Sequence, residues 1–173
     1  LKKYEIIHDT EQIKRLATER EVENDGFRHF IQAMDGKLVD EWVEKLLPAV
    51  EEEVDCTQCG ACCRELMINV TPEEVFTVTK ALSIEKNEFF EQHIEQSASG
   101  EILIMNTIPC FFLNGSKCSI YENRFNECRE FPHLHKPNIA GRMFGTLMHY
   151  GRCAIIFNVV EQLKEELNFI TNK

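Results

Sequence analysis

The 173-residue chain is long enough for one domain with a substantial core, and its 43% hydrophobic and 28% charged residues exclude intrinsic disorder. A formal net charge of −10 and an isoelectric point near 5.1 argue against nucleic acid and anionic lipid as partners, since both need clustered cations. No run reaches the ~18 to 20 apolar residues of a membrane span, and the opening LKKYEIIHDTEQ holds no apolar segment of signal-peptide length. A soluble cytoplasmic protein is therefore expected, with another protein as the remaining class of partner.

Between residues 10 and 50 apolar positions recur at spacings of three and four, as Ile13, Leu16 and Ala17 and then Phe27, Phe30, Ile31 and Met34. They predict helices, with a break at Asp35-Gly36 and a further stripe through Leu38, Trp42, Leu46 and Leu47. Residues 1–50 contain no cysteine and are expected to form a helical cover over a cysteine-rich core at residues 51–155, all within a single domain, 1–173. The short apolar run at 66–70 reads as a buried strand. Thr71-Pro72-Glu73-Glu74 then carries an N-cap, a first-turn proline and a capping-box glutamate, so helices are expected at 72–82 and 84–95.

A turn at 97–100 and a short strand at 102–105 follow, and Asn114-Gly115 marks a hairpin turn between Cys110-Phe111-Phe112-Leu113 and Cys118-Ser119-Ile120-Tyr121. Pro132, Pro137, Gly141, Gly145 and Gly151 predict irregular chain over 132–152, before a last helix from about 154 to 168 within the C-terminal 156–173 region. The expected fold is α+β and mostly helical, with helices around a cysteine-rich metal core and a short β-hairpin.

Eight cysteines are many for a chain without a secretion signal, and either disulfides or metal must account for them. A reducing cytosol disfavours disulfides, and the spacing suits metal. Cys56, Cys59, Cys62 and Cys63 form a CxxCxxCC motif: cysteines two residues apart can bend round one ion, and Gly60 relieves crowding where backbone amides approach thiolate sulfur. The first three also match the run that holds three corners of a four-iron cluster. Read as extended chain, Cys62 and Cys63 point to opposite sides and serve different metal positions. Cys110, Cys118, Cys128 and Cys153 bring the total to two sets of four, enough for two tetrahedral thiolate sites or one larger cluster. The spacing is compatible with zinc and with iron, including 4Fe-4S.

The CxxCxxCC at 56–63, together with Cys118-Ser119-Ile120-Tyr121-Glu122-Asn123-Arg124 and Cys128-Arg129-Glu130-Phe131-Pro132, resembles the zinc- or iron-chelating domain family of YkgJ-like cysteine-cluster proteins. That family looks related to the flagellin lysine N-methylases. The resemblance covers 56 to about 153 and implies zinc or iron–sulfur binding. Phe125 departs from it, standing where the family pattern usually has proline.

His133 and His135, either side of Leu134, would share one side of an extended chain, where they could bind a metal or donate protons, although hydrogen-bonded structural histidines are the commoner case. His149 and Tyr150 lie where they could support a metal ligand at Cys153. Arg64, Lys117, Arg129 and Arg152 each adjoin a cysteine, and Arg129 is the first choice for a cation that offsets thiolate charge. No phosphate-binding glycine loop, dinucleotide fingerprint or hydrolase nucleophile motif is present. Metal binding is therefore the expected function, with an iron–sulfur redox protein or a protein-modifying enzyme like the methylases as the alternative.

Overall fold

The computed structural model describes residues 4–170. In chain order these form α1 (Thr10–Glu19), α2 (Glu21–Gln32), α3 (Gly36–Glu53), α4 (Cys56–Cys59), α5 (Ala61–Glu65), β1 (Ile68–Val70), α6 (Pro72–Leu82), α7 (Lys86–His93), β2 (Ile94–Gln96) and β3 (Leu103–Met105). After them come β4 (Leu113–Asn114), β5 (Lys117–Cys118), a 3-10 turn at Tyr121–Asn123, α8 (Asn126–Glu130), α9 (Ile139–Leu147) and α10 (Ala154–Glu166). The fold is α+β and mostly helical. Two compact units make up the chain: Leu1–Asp55 with Pro132–Lys173, and Cys56–Phe131. The cysteine-rich unit is thus shorter than the 51–155 read from sequence, because residues 132–155 join the helical one.

In the helical unit, α10 runs through the middle. Every residue from Ala154 to Val160 is buried, which marks a helix enclosed on all sides rather than a surface helix with one apolar stripe. α3 and α1 pack on it, and α9 packs on α2 and α3. The buried face of α3 is Val39, Val43, Leu46, Leu47 and Val50, shifted from the stripe expected through Leu38 and Trp42. Leu38 is exposed, and Trp42 is half-buried under the ammonium of Lys45, which stands 5.0 Å from its ring centroid. Both predictions rested on spacing alone, and β-branched valines one position on fill the core instead.

The stretch expected to be irregular contains α9. Gly141 and Gly145 count against a helix by propensity, yet Ile139, Ala140, Met143 and Thr146 give it a buried face, and burial outweighs propensity. Asp40 of α3 completes its start, accepting from the amides of Asn138 and Ile139, each at 2.8 Å. The last helix expected at 154–168 is α10.

The cysteine-rich unit has its own core of Val75, Val78, Phe89, Leu103, Met105, Phe112, Ile120 and Phe125. β3 lies between β1 and β2, antiparallel to both. β2 occupies the end of the helix expected at 84–95, where pairing of Ile94 with Met105 captures the chain. The capping box at Thr71 and Glu74 is present as read. Glu74 also accepts the Asn126 amide at 2.6 Å, so one carboxylate closes the start of α6 and the start of α8. Among the described residues no helix is long and apolar enough to cross a membrane.

Lys164 of α10 is the most deeply placed charge in the helical unit. Its ammonium donates to Glu23 and Glu161, each at 2.7 Å, and Glu161 also pairs with Arg20 and accepts from the Tyr150 hydroxyl at 2.6 Å. Burial pulls the Lys164 pKa below the ordinary lysine value while Glu23 opposes it. Replacing Lys164 with Met should destabilise the protein by about 3 kcal/mol, since it leaves Glu23 and Glu161 facing each other without their shared cation. Urea unfolding measures this, and a loss under about 1 kcal/mol would show that the pairs contribute little.

Candidate metal centre

Cys56 and Cys59 sit three apart in the single turn of α4, which puts them on one face. Gly60 then takes φ 61°, a left-handed conformation that disfavours any side chain, and α5 begins. Space forbids a side chain as well: a Cβ on Gly60 would stand 2.8 Å from the Ser116 carbonyl oxygen and 3.1 Å from its Cα. The crowding that this glycine relieves is therefore the backbone of the β4–β5 turn. Arg64 secures the same junction, donating through Nη1 to the Cys59 carbonyl at 3.0 Å and through Nη2 to the Gly115 carbonyl at 2.7 Å. Cys62 and Cys63 belong to α5, so they diverge by about 100° rather than opposing each other as extended neighbours would, and their side chains hydrogen-bond.

The β4–β5 hairpin turns through Gly115 and Ser116, with Asn114 paired to Lys117 in the ladder. Of the two turn residues only Gly115 has positive φ, the mark of a II′ turn. The Cys110 amide donates to the Cys63 carbonyl at 2.8 Å, which ties the chain before the hairpin to α5. Backbone hydrogen bonding at Phe112 and Leu113 lowers Cys110, and that at Ile120 lowers Cys118, each against the effect of burial. Such bonding favours thiolate over thiol. Cys128 arrives on α8, anchored at its start by Glu74.

These segments bring Cys63, Cys110, Cys118 and Cys128 within electrostatic reach of one another. Cys63 is lowered to about 7, through the hydrogen bond from Cys62 and the nearby Arg64 against the effect of burial. Burial raises Cys110 and Cys118, and charge on Cys63 raises both further. Burial pushes Cys128 up to about 12, reinforced by Cys63, Cys110 and Cys118. Charge on any one of these sulfurs therefore opposes ionisation of the others. Four such sulfurs would suit a thiophilic cation, which would supply the charge that lets them ionise together. Among the described residues, no group of three or more His, Cys, Asp or Glu side chains is placed so that it could hold a metal ion.

None of the eight cysteines is in a disulfide; Cys56 is exposed, Cys59 and Cys62 are half-buried, and Cys153 is buried. Seven lie in the cysteine-rich unit. Cys153 lies in the helical unit, where it is the N-cap of α10.

The basic residues differ from expectation. Arg129 turns away from the sulfurs, donating through Nε to the Arg124 carbonyl at 3.0 Å and through Nη2 to the Glu122 carbonyl. Arg124 is the cation that lowers Cys118 and Cys128, held by its bond to the Tyr121 carbonyl at 2.8 Å and by stacking 3.9 Å above the Tyr121 ring. Adjacency in sequence hid it, since no cysteine neighbours it. His133 has φ 61°, so the extended reading of 133–135 fails there. His133 and His149 share the helical unit, where burial, Arg152 and His133 hold the His149 imidazole below the usual histidine range. Tyr150 is a core residue, 2% exposed and 4.8 Å from Phe157 between ring centroids.

A family model described as "CxxCxxCC: Putative zinc- or iron-chelating domain" matches residues 55–150. The match names metal chelation and carries no relation to the methylases. No curated protein matches, and no solved structure matches.

Replacing Arg124 with Gln should raise the Cys118 and Cys128 pKa values, while replacing Arg129 with Gln should leave them nearly unchanged. Zinc must displace protons from these thiols, so the Arg124 variant should bind roughly 10-fold more weakly at neutral pH. The gap should narrow as pH rises through the thiol pKa values. Competition with a coloured chelator across pH separates the two variants, and equal losses in both would remove Arg124 from its role.

Proposed function

Because the chain belongs to the CxxCxxCC family of zinc- or iron-chelating domains, we propose that it holds a thiophilic metal in the cysteine-rich unit, with Cys63, Cys110, Cys118 and Cys128 as a four-sulfur site. The observation that carries this reading is the mutual influence of these four thiols, which arrive from α5, the segment before β4, β5 and α8. Four thiolates close a tetrahedral coordination sphere and leave no position for substrate, so the metal acts as a structural link between segments. Cys56, Cys59 and Cys62 are three further candidate donors by their spacing in the motif. Iron is favoured where such a CxxCxxC triplet holds a four-iron, four-sulfur cluster, and zinc where the sites bind single ions. A reducing cytoplasm keeps all these thiols available, and a scaffold organised by metal serves best as a module that binds another protein.

Elemental analysis of anaerobically purified protein tests the proposal directly. At least one thiophilic metal per chain is expected, in colourless protein for zinc and brown protein for iron–sulfur. Protein free of metal, and unable to take up zinc or reconstitute a cluster, would overturn it.

Two further outcomes follow from the thiol chemistry. Stripping the metal with a strong chelator should lower the thermal midpoint by roughly 10 °C or more, because structural-site binding energy is folding energy. An unmoved transition would contradict the structural role. Zinc uptake near pH 7 should release protons from the raised thiols, Cys110, Cys118 and Cys128. Lower pH restores those protons, so apparent affinity should climb steadily from about pH 6 to pH 9. Proton release in weak buffer and competition titrations read both.

A further inference from the structure

Two of the four cysteines are joined through their backbones. The Cys110 amide donates to the Cys63 carbonyl at 2.8 Å, and standard backbone lengths, with the ~120° bend at the carbonyl carbon, cap their Cα separation at about 6.7 Å. Disulfides span roughly 4.4 to 6.8 Å between Cα atoms. Cys62 and Cys63, adjacent across a trans peptide, are about 3.8 Å apart and fall short of that range. Cys118 faces Leu113 across the hairpin, so no cysteine lies opposite it in the ladder. Cys63 and Cys110 are both half-buried, open enough for a small oxidant and sheltered enough to be partners.

The same pair brackets the chain that builds β1, α6, α7, β2 and β3. A bond between Cys63 and Cys110 would hold the two ends of that stretch together, the link that a metal shared by these sulfurs otherwise provides.

We propose that the site is a redox-sensitive release point: a hydroperoxide oxidises Cys63, Cys110 closes a disulfide with it, and the site loses two of its four sulfurs. In the first step the Cys63 thiolate attacks the terminal peroxide oxygen. The O–O bond breaks, a sulfenic acid forms on Cys63, and the leaving alkoxide or hydroxide takes up a proton. The Cys110 sulfur then attacks the Cys63 sulfur, forming the S–S bond as the S–O bond breaks, and the departing hydroxide leaves as water with the Cys110 proton. Two thiols and one hydroperoxide give one disulfide, one water and one alcohol, or a second water when the oxidant is hydrogen peroxide. A dithiol reductant restores both thiols. Release of metal rests on the function proposed above, whereas the pairing of the two cysteines does not.

The test uses the full chain loaded with zinc alone and treated with hydrogen peroxide. Zinc release is followed with a coloured chelator, free thiols are alkylated, and linked peptides are mapped by mass spectrometry. A Cys63–Cys110 peptide should appear in step with zinc release, and dithiothreitol should reverse both. Recovery of Cys63 and Cys110 as alkylated thiols after the zinc has left would overturn the proposal, as would Cys63 linked to any other cysteine. A chain that takes up no zinc speaks against the metal reading, and the same mapping on that metal-free chain then decides the pairing by itself. Cys110→Ser in metal-free chain should leave Cys63 trapped as sulfenic acid by a dimedone probe, and an unlabelled Cys63 would count against its being the first sulfur oxidised.

Discussion

Half-buried thiols that influence one another oppose each other's ionisation. The first ionisation, at Cys63, is eased by Cys62 and Arg64, and its charge then stands against ionisation of Cys110, Cys118 and Cys128. Burial acts in the same direction. The arrangement is costly to ionise alone and favourable around a cation, because a divalent charge reverses the sign of every thiolate contact. Backbone hydrogen bonding at Cys110 and Cys118 favours the ionised form in advance.

The scaffold separates holding from charging. Arg64 and Arg129 spend their guanidinium donors on carbonyls, joining Cys59 to the hairpin turn and closing the loop before α8. Arg124 stays close enough to the sulfurs to act on their ionisation. Glu74 joins the starts of two helices through its two oxygens. The helical unit meets a similar demand around Lys164, where Glu23 and Glu161 answer a buried cation. In the helical unit the buried cation is tolerated because Glu161 of its own helix and Glu23 of α2 both reach it.

Local chemistry was legible from the residues. The Thr71–Glu74 capping box, the start of α6, the three N-terminal helices, the β4–β5 hairpin and the final helix follow from contacts within a few positions. Gly60 was legible as a position that relieves crowding, and the cysteine spacing was enough to indicate a thiophilic metal, which the family match to 55–150 supports. Sequence also established that zinc and iron both suit such a run of sulfurs, since spacing does not distinguish them.

Only the tertiary structure decided which cysteines influence one another, which arginine serves them and where the units divide. Cys63 meets Cys110, Arg64 meets Gly115 and Glu74 meets Asn126 through chain reversals made by the sheet and hairpin. α9 forms despite its glycines because its other residues are buried, and β2 interrupts the run of α7 because β3 offers it a partner. Arg124 escaped notice because its role depends on proximity in space, while Arg129 was favoured for adjacency in sequence. The physical reason is common to all of them: propensity and capping act over one turn of chain, whereas burial and electrostatics depend on distances that exist only after distant segments have packed.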